Sequence, residues 1–257
     1  VEYDDQGNLS GYTNRRGDDV TFIYDDRGRL LSESDSSVGP TSYSYDDRGR
    51  LISATTDQGT TTLTYDDADR VTQIDYPTGK SLFYSYNEAG LRASMSDGAG
   101  YELFYDYDAL GRLTGLRDGD GLLVTYGFDA AGNLIREENG NGTVTTFDYD
   151  SAGRLTRIEN LAPDASINSF NAYTYDSAGQ RITHESQDGT WSYGYDAAGQ
   201  LTSAEFVSSN AEIANKSIAY EDDLAGNRTR VVEDGVETLY KANALNQYTR
   251  VGDESFT

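Results

Sequence analysis

An aromatic residue followed by Asp-x-x-Gly recurs so regularly along this 257-residue chain that it limits the fold before any other property is considered. With the aromatic as position 0, copies begin at Tyr3, Tyr24, Tyr45, Tyr65, Tyr86, Tyr107, Phe128, Tyr149, Tyr175 and Tyr195. The first eight lie 20 or 21 residues apart, and the next two steps are 26 and 20. Two degenerate copies follow, with Asp222 and Ala242 at position 0. So short a unit cannot bury its own apolar face, so about twelve tandem copies must bury it by stacking on one another.

Each column of the repeat has a physical reason. Position +1 is Asp in ten copies and Asn in two (Asn87 and Asn243), and position +4 is Gly in ten, with Asp69 and Asn246 in the others. Asp-x-x-Gly is the signature of a type I turn: the Asp carboxylate accepts backbone N–H bonds, and the Gly tolerates positive φ. A type I turn followed by a left-handed residue closes a hairpin through a G1 bulge. The structural turn pairs are Asp25 with Gly28, Asp46 with Gly49, Asp108 with Gly111, Asp129 with Gly132, Asp150 with Gly153, Asp176 with Gly179 and Asp196 with Gly199. Position −2 is aromatic in ten of the eleven copies that begin at Phe22, the exception being Leu63. Alternation of period two places −2 and 0 on one face of a strand. That face carries an aromatic ladder: Phe22 and Tyr24, Tyr43 and Tyr45, Tyr84 and Tyr86, Tyr105 and Tyr107, Tyr126 and Phe128, Phe147 and Tyr149, Tyr173 and Tyr175, and Tyr193 and Tyr195.

A second punctuation mark separates the copies: Gln58-Gly59, Thr78-Gly79, Asp97-Gly98, Asp118-Gly119, Asn139-Gly140, Asp188-Gly189 and Asp234-Gly235. These read as hairpin-turn dipeptides. Each repeat therefore predicts two strands and two turns, and the chain an all-β antiparallel hairpin meander of some two dozen strands, one array over residues 1–257. Strand twist predicts that such a strip curls into a curved or spiral ribbon. The alternative is a six-bladed β-propeller, each blade two hairpins; alternate copies show none of the difference that inner and outer hairpins require. Asn160–Asn171 and Phe206–Ser217 lengthen their copies and predict longer loops or hairpins.

Composition supports an aromatic rather than an aliphatic interior. Apolar residues make up 36 %, and Tyr supplies 21 residues against one Trp and one Met. The formal net charge of −24 disfavours phosphate backbones and anionic lipid, so nucleic acid is a poor partner. No apolar run approaches membrane-spanning length, so no membrane insertion is expected. With no Cys, disulfides and thiolate chemistry are absent from this sequence.

Tyr-Asp-x-x-Gly-x-Leu at this spacing resembles the YD repeat of the Rhs family. The matching copies are YDDRGRL at Tyr24 and Tyr45, YDALGRL at Tyr107 and YDSAGRL at Tyr149, and the ending NALNQYTRV, Asn243–Val251, is similar to the family's degenerate repeats. The resemblance implies β-hairpins that spiral into the hollow shell of a large secreted or surface protein. In bacterial members that shell encloses a C-terminal toxin, released by an aspartyl autoprotease. This sequence is much shorter than such a shell and holds neither a toxin segment nor the family's Asp-Pro-x-Gly cleavage motif. The implied partner is the remainder of a larger parent chain.

Chemical readings compete with bland ones. The +1 Asp series lacks calcium-repeat spacing, and Asp118–Gly121 lacks the other EF-hand ligands, so no metal or other cofactor is expected. The carboxylate pairs Asp25-Asp26, Asp46-Asp47 and Asp66-Asp67 recur because the turn recurs. His184 is the only His and reads as structural or exposed. Arg16-Gly17-Asp18 spells an adhesion tripeptide in a turn, and Asn8, Asn141, Asn215 and Asn227 head Asn-x-Ser/Thr sequons. Arg29, Arg50, Arg70, Arg112 and Arg154, at +5, are expected to pair with the turn Asp or stack on Tyr. No constellation supports an enzyme. The expected role is a non-catalytic wall segment of an Rhs-like protein; the alternative is a carbohydrate or cell-surface ligand module using the tyrosine ladder. Burial of the −2 and 0 rings separates the two.

Overall fold

Asp46 shows how the repeat makes its turn. In the computed structural model, which describes residues 1–256, its carbonyl accepts the Gly49 N–H at 2.9 Å and its own N–H donates to the Arg50 carbonyl at 3.0 Å. Its carboxylate Oδ1 accepts the N–H groups of Arg48 and Arg50 at 3.0 and 2.9 Å. The same pair of backbone bonds closes the turns at Asp4, Asp25, Asp66, Asn87, Asp108, Asp129, Asp150, Asp176, Asp196, Asp223 and Asn243. Gly49 sits at φ 86°, and the two replacements at +4, Asp69 and Asn246, sit at 62° and 57°. Asp and Asn tolerate this left-handed region better than most side chains, which is why the turn survives their substitution.

The described residues hold 25 strands and no helix. Backbone contacts divide the chain into two units, Val1–Leu123 and the residues from Val124 onward. In the first, each strand from Glu2–Tyr3 to Leu113–Asp118 pairs antiparallel with its neighbours in sequence, without a break every fourth strand. In the second, the same neighbour-to-neighbour pairing runs to Glu254–Ser255. Uninterrupted ladders are those of a hairpin meander; propeller blades would break them into four-stranded sheets.

A further bulge lies one pair beyond each Asp turn. Tyr45 faces Leu51 while Ser44 faces Ser53, leaving Ile52 without a cross-strand partner. Directly opposed residues share a face, so this extra residue brings Leu51 and Ala54, three apart, onto the face of Tyr45 and Tyr43. The opposite face is polar, with hydroxyl pairs Ser44–Ser53, Ser85–Ser94 and Thr174–Thr183 bonded across the strands.

The turns between copies differ from the dipeptide expectation. Among the predicted dipeptides, only Asp234-Gly235 has both residues at positive φ, 48° and 86°, as a two-residue type I′ hairpin turn requires. At Asn139 the Asx residue instead opens another type I turn: its carbonyl accepts the Gly142 N–H at 2.8 Å, and Gly142, not Gly140, takes the left-handed place at φ 82°. Asn160–Asn171 forms a longer hairpin between strands Leu155–Leu161 and Ile167–Tyr175, with Ala165 at φ 64° near its tip. Phe206–Ser217 holds a loop between strands Leu201–Ser208 and Lys216–Asp222.

The interior is thin. Among the described residues only Val20, Val124, Val144, Ala204 and Phe206 are buried hydrophobics, and no large side chain is fully enclosed. The ladder rings are half-buried.

Candidate functional site: the inter-repeat tyrosine ladder

Three side chains from two successive repeats meet at each regular junction. The Asp46 Oδ2 accepts the Arg50 Nε–H at 2.7 Å. The Arg50 guanidinium then lies 4.6 Å over the ring of Tyr65 in the next repeat, whose hydroxyl donates to the Leu51 carbonyl at 2.6 Å. The turn of one hairpin thus holds the cation that covers the aromatic of the next, and that aromatic reaches back to the first hairpin's return strand. Arg29 on Tyr45, Arg70 on Tyr86 and Arg154 on Tyr175 repeat the stack at 4.7, 4.5 and 4.8 Å. The hydroxyls of Tyr45, Tyr86, Tyr149, Tyr175 and Tyr195 each donate to the +6 carbonyl of the preceding repeat. Partly desolvated, such a cation over a ring is worth on the order of 1 kcal/mol.

The guanidinium also touches the next turn. Arg50 Nη1 donates to the Asp66 carbonyl, and Arg154 Nη1 to that of Asp176. Where Asp69 replaces glycine, its carboxylate accepts Arg50 at 2.7 Å and Arg48 at 3.0 Å. Asn246 does the same with neutral groups, accepting the Asn227 amide at 3.1 Å. A side chain at +4 therefore becomes a link to the preceding repeat.

Three copies carry their arginine one place later, a pattern that the column-by-column reading missed. Arg92, Arg181 and Arg228 occupy +6, where the other copies have Leu, Val or, in the last, Tyr248, and each stacks on the −2 tyrosine of its own hairpin: Tyr84 at 4.6 Å, Tyr173 at 4.5 Å and Tyr220 at 4.2 Å. Arg228 also replaces a lost tyrosine. Position 0 of its repeat is Asp222, a side chain 8 % exposed that pairs with Arg228 Nε at 3.2 Å. Arg228 Nη1 reaches the Leu201 carbonyl at 3.4 Å, the +6 carbonyl that a position-0 hydroxyl takes elsewhere. In the last repeat, where position 0 is Ala242, Tyr248 packs edge-on against Tyr240, and its hydroxyl accepts the Arg228 N–H at 2.8 Å.

Electrostatics follow the hydrogen bonds. The backbone N–H groups of Arg29, Arg50 and Arg154 hold the carboxyls of Asp25, Asp46 and Asp150 below the ordinary 3.8, outweighing partial burial, with the arginine side chains adding to the effect. In Asp66 the Arg70 side chain contributes most. Burial, with the Glu33 carboxylate beside it, pushes the Tyr43 phenol up to about 12. His184 stacks on Tyr173 at 5.0 Å and bonds Asn171 Oδ1 through Nε2 at 2.7 Å; burial, then Arg181, lowers its pKa.

The remaining sequence candidates are engaged locally. The Asp18 carboxylate of Arg16-Gly17-Asp18 accepts the Asn14 amide at 3.1 Å within the turn. Asn8 donates to Asp4 and Asn227 to Asp223, whereas Asn141 is exposed, its Oδ1 accepting the Thr143 hydroxyl. Among the described residues no group of three metal-ligating side chains comes together.

Comparison with known proteins agrees with this architecture. A search of curated protein sequences finds no match. Among solved structures, TcdB2–TccC3–TEV is 17 % identical with a TM-score of 0.60, over 96 % of this chain and 16 % of that one. TcdB2–TccC3–Cdc42 is 18 % identical with a TM-score of 0.59, over 95 % and 17 %. The Tc holotoxin pore of Photorhabdus luminescens gives 17 %, 0.53, 94 % and 18 %. At such identities the likeness is one of fold, and the chain spans less than a fifth of the length of those proteins. The profile of the teneurin YD-shell family matches residues 1–161 and 93–215, most of the sequence. This chain, with an Asp or Asn turn in every repeat and the ladder between them, belongs to the teneurin YD-shell family.

Proposed function

We propose that this chain is a non-catalytic wall segment of a larger secreted or surface protein, a scaffold whose hairpins cohere through the ladder and which in the parent encloses a toxin or other cargo. The observation that carries this reading is the Asp–Arg–Tyr contact repeated between hairpins. Carboxylate, guanidinium and hydroxyl are all committed to joining one repeat to the next. The half-burial of the rings and the use of their hydroxyls on backbone carbonyls favour cohesion over ligand capture.

Limited proteolysis tests the reading. The combined change Arg29→Gln, Arg50→Gln and Arg70→Gln is expected to open the first unit to cleavage at strand ends that resist protease in the parent sequence. The carbohydrate alternative predicts an undiminished protease-resistant core together with lost binding on a glycan array. That outcome would overturn the wall assignment.

A further inference from the structure

One tyrosine of the ladder differs from six others in what accepts its proton. Among the described residues, the hydroxyls of Tyr45, Tyr65, Tyr86, Tyr149, Tyr175 and Tyr195 donate to backbone carbonyls. Tyr43 alone donates to a carboxylate, Glu33 Oε1, at 2.8 Å. The register explains why. Glu33 lies opposite Phe22 on one side and Thr41 on the other, so Tyr43 is its diagonal neighbour on the ladder face. The corresponding place in most repeats is apolar, as at Ala54, Ile74, Met95, Leu116 and Ile158. Glu137 is a second carboxylate there, but its diagonal neighbour is Phe147, which has no hydroxyl.

A backbone carbonyl is a far weaker base than a carboxylate, which takes the phenolic proton once the ring has lost an electron. Removing an electron from a tyrosine ring makes its phenol strongly acidic, so oxidation is easiest where electron and proton leave together. We propose that Tyr43 is an oxidative modification site, the tyrosine at which one-electron oxidants act on this protein, with Glu33 as the proton acceptor. The oxidant gains the electron, the Tyr43 O–H bond breaks, the proton forms a new O–H bond on Glu33, and a neutral tyrosyl radical remains. A groove of about 270 Å³ lined by Tyr12, Phe22, Glu33 and Thr41 lies against the carboxylate and gives the proton a way out.

Carbonate radical as oxidant and nitrogen dioxide as radical trap test the assignment. Coupling of nitrogen dioxide to the tyrosyl ring, with loss of the ring proton, gives 3-nitrotyrosine, located by peptide mass spectrometry. Tyr43 is expected to carry the largest share of label, ahead of the more exposed Tyr3 and Tyr101. Glu33→Gln, which keeps an acceptor oxygen but removes the base, is expected to drop Tyr43 to the level of Tyr45. Labelling that follows solvent exposure, or that is unchanged in Glu33→Gln with the fold intact by circular dichroism, overturns the assignment.

Discussion

The junction between the Tyr45 and Tyr65 repeats and the two junctions at the end of the second unit solve one problem with different residues. In the first, a position-0 ring lies under the preceding arginine and its hydroxyl caps the Leu51 carbonyl. In the second group position 0 is Asp222 or Ala242, yet Leu201 is still met by Arg228, and the space near Ala242 is approached by Tyr248. The difference teaches that the contact on the preceding return strand is required, while the column that supplies it is not.

The strongest way to break this comparison is Arg228→Leu. It strands the Asp222 carboxylate without its partner, and stability is expected to fall by about 3–5 kcal/mol in urea unfolding. Adding Asp222→Tyr should recover most of that loss, because the pair then reproduces the Tyr-and-Leu arrangement of Tyr149 and Leu155. No recovery would mean that the two junction types are not equivalent. Next comes Tyr65→Ala, expected to destabilise by about 3 kcal/mol as other large aromatic truncations do. The more exposed Tyr248 should tolerate truncation with clearly less; equal losses would erase the distinction between regular and degenerate junctions.

Smaller effects test the turns beneath the ladder. Gly153 sits at φ 76° with no atom near a would-be Cβ, so Gly153→Val introduces backbone strain alone, about 1–2 kcal/mol, and Ala152→Val should be nearly silent. Matching melting temperatures for the two would contradict the left-handed role of that position. The mildest probe is pH. Asp25, Asp46, Asp66 and Asp150 have folded pKa values below 3.8, so their contribution is complete above 3.8 and disappears as pH falls through the folded values. His184, lowered from 6.5, contributes fully above 6.5 and loses that share as pH falls from there through its folded value. Acid unfolding in two such steps, with the upper one removed in His184→Phe, is the expected pattern.

The hairpins and their Asp turns are legible in the sequence because their determinants lie within five residues of one another. Tyr149, Asp150, Gly153 and Arg154 carry the turn between them. The ladder's chemistry is less legible, because it joins residues about one repeat apart whose pairing depends on the column an arginine occupies. Arg154 at +5 points forward to Tyr175, while Arg181 at +6 folds back on Tyr173. Read as independent columns, +6 looks like an apolar position with exceptions. Only the bulge after each turn shows why a one-place shift reverses the arginine's partner. The turn at Asn139 departs from its dipeptide expectation for a related reason: Asn-Gly is an ambiguous signal when a second Gly, here Gly142, stands two residues on.

That so few hydrophobic side chains are buried among the described residues has a consequence for how this protein responds to temperature. The heat-capacity change of unfolding scales with newly exposed apolar surface, roughly 12–15 cal/mol/K per residue in ordinary domains. Half-buried rings and polar sheet faces expose less, so calorimetry should place both units below that range. Their stability curves would then be shallow, with little loss on cooling and a gradual approach to melting. A wall made this way would keep nearly the same strength in a cold medium as in a warm one.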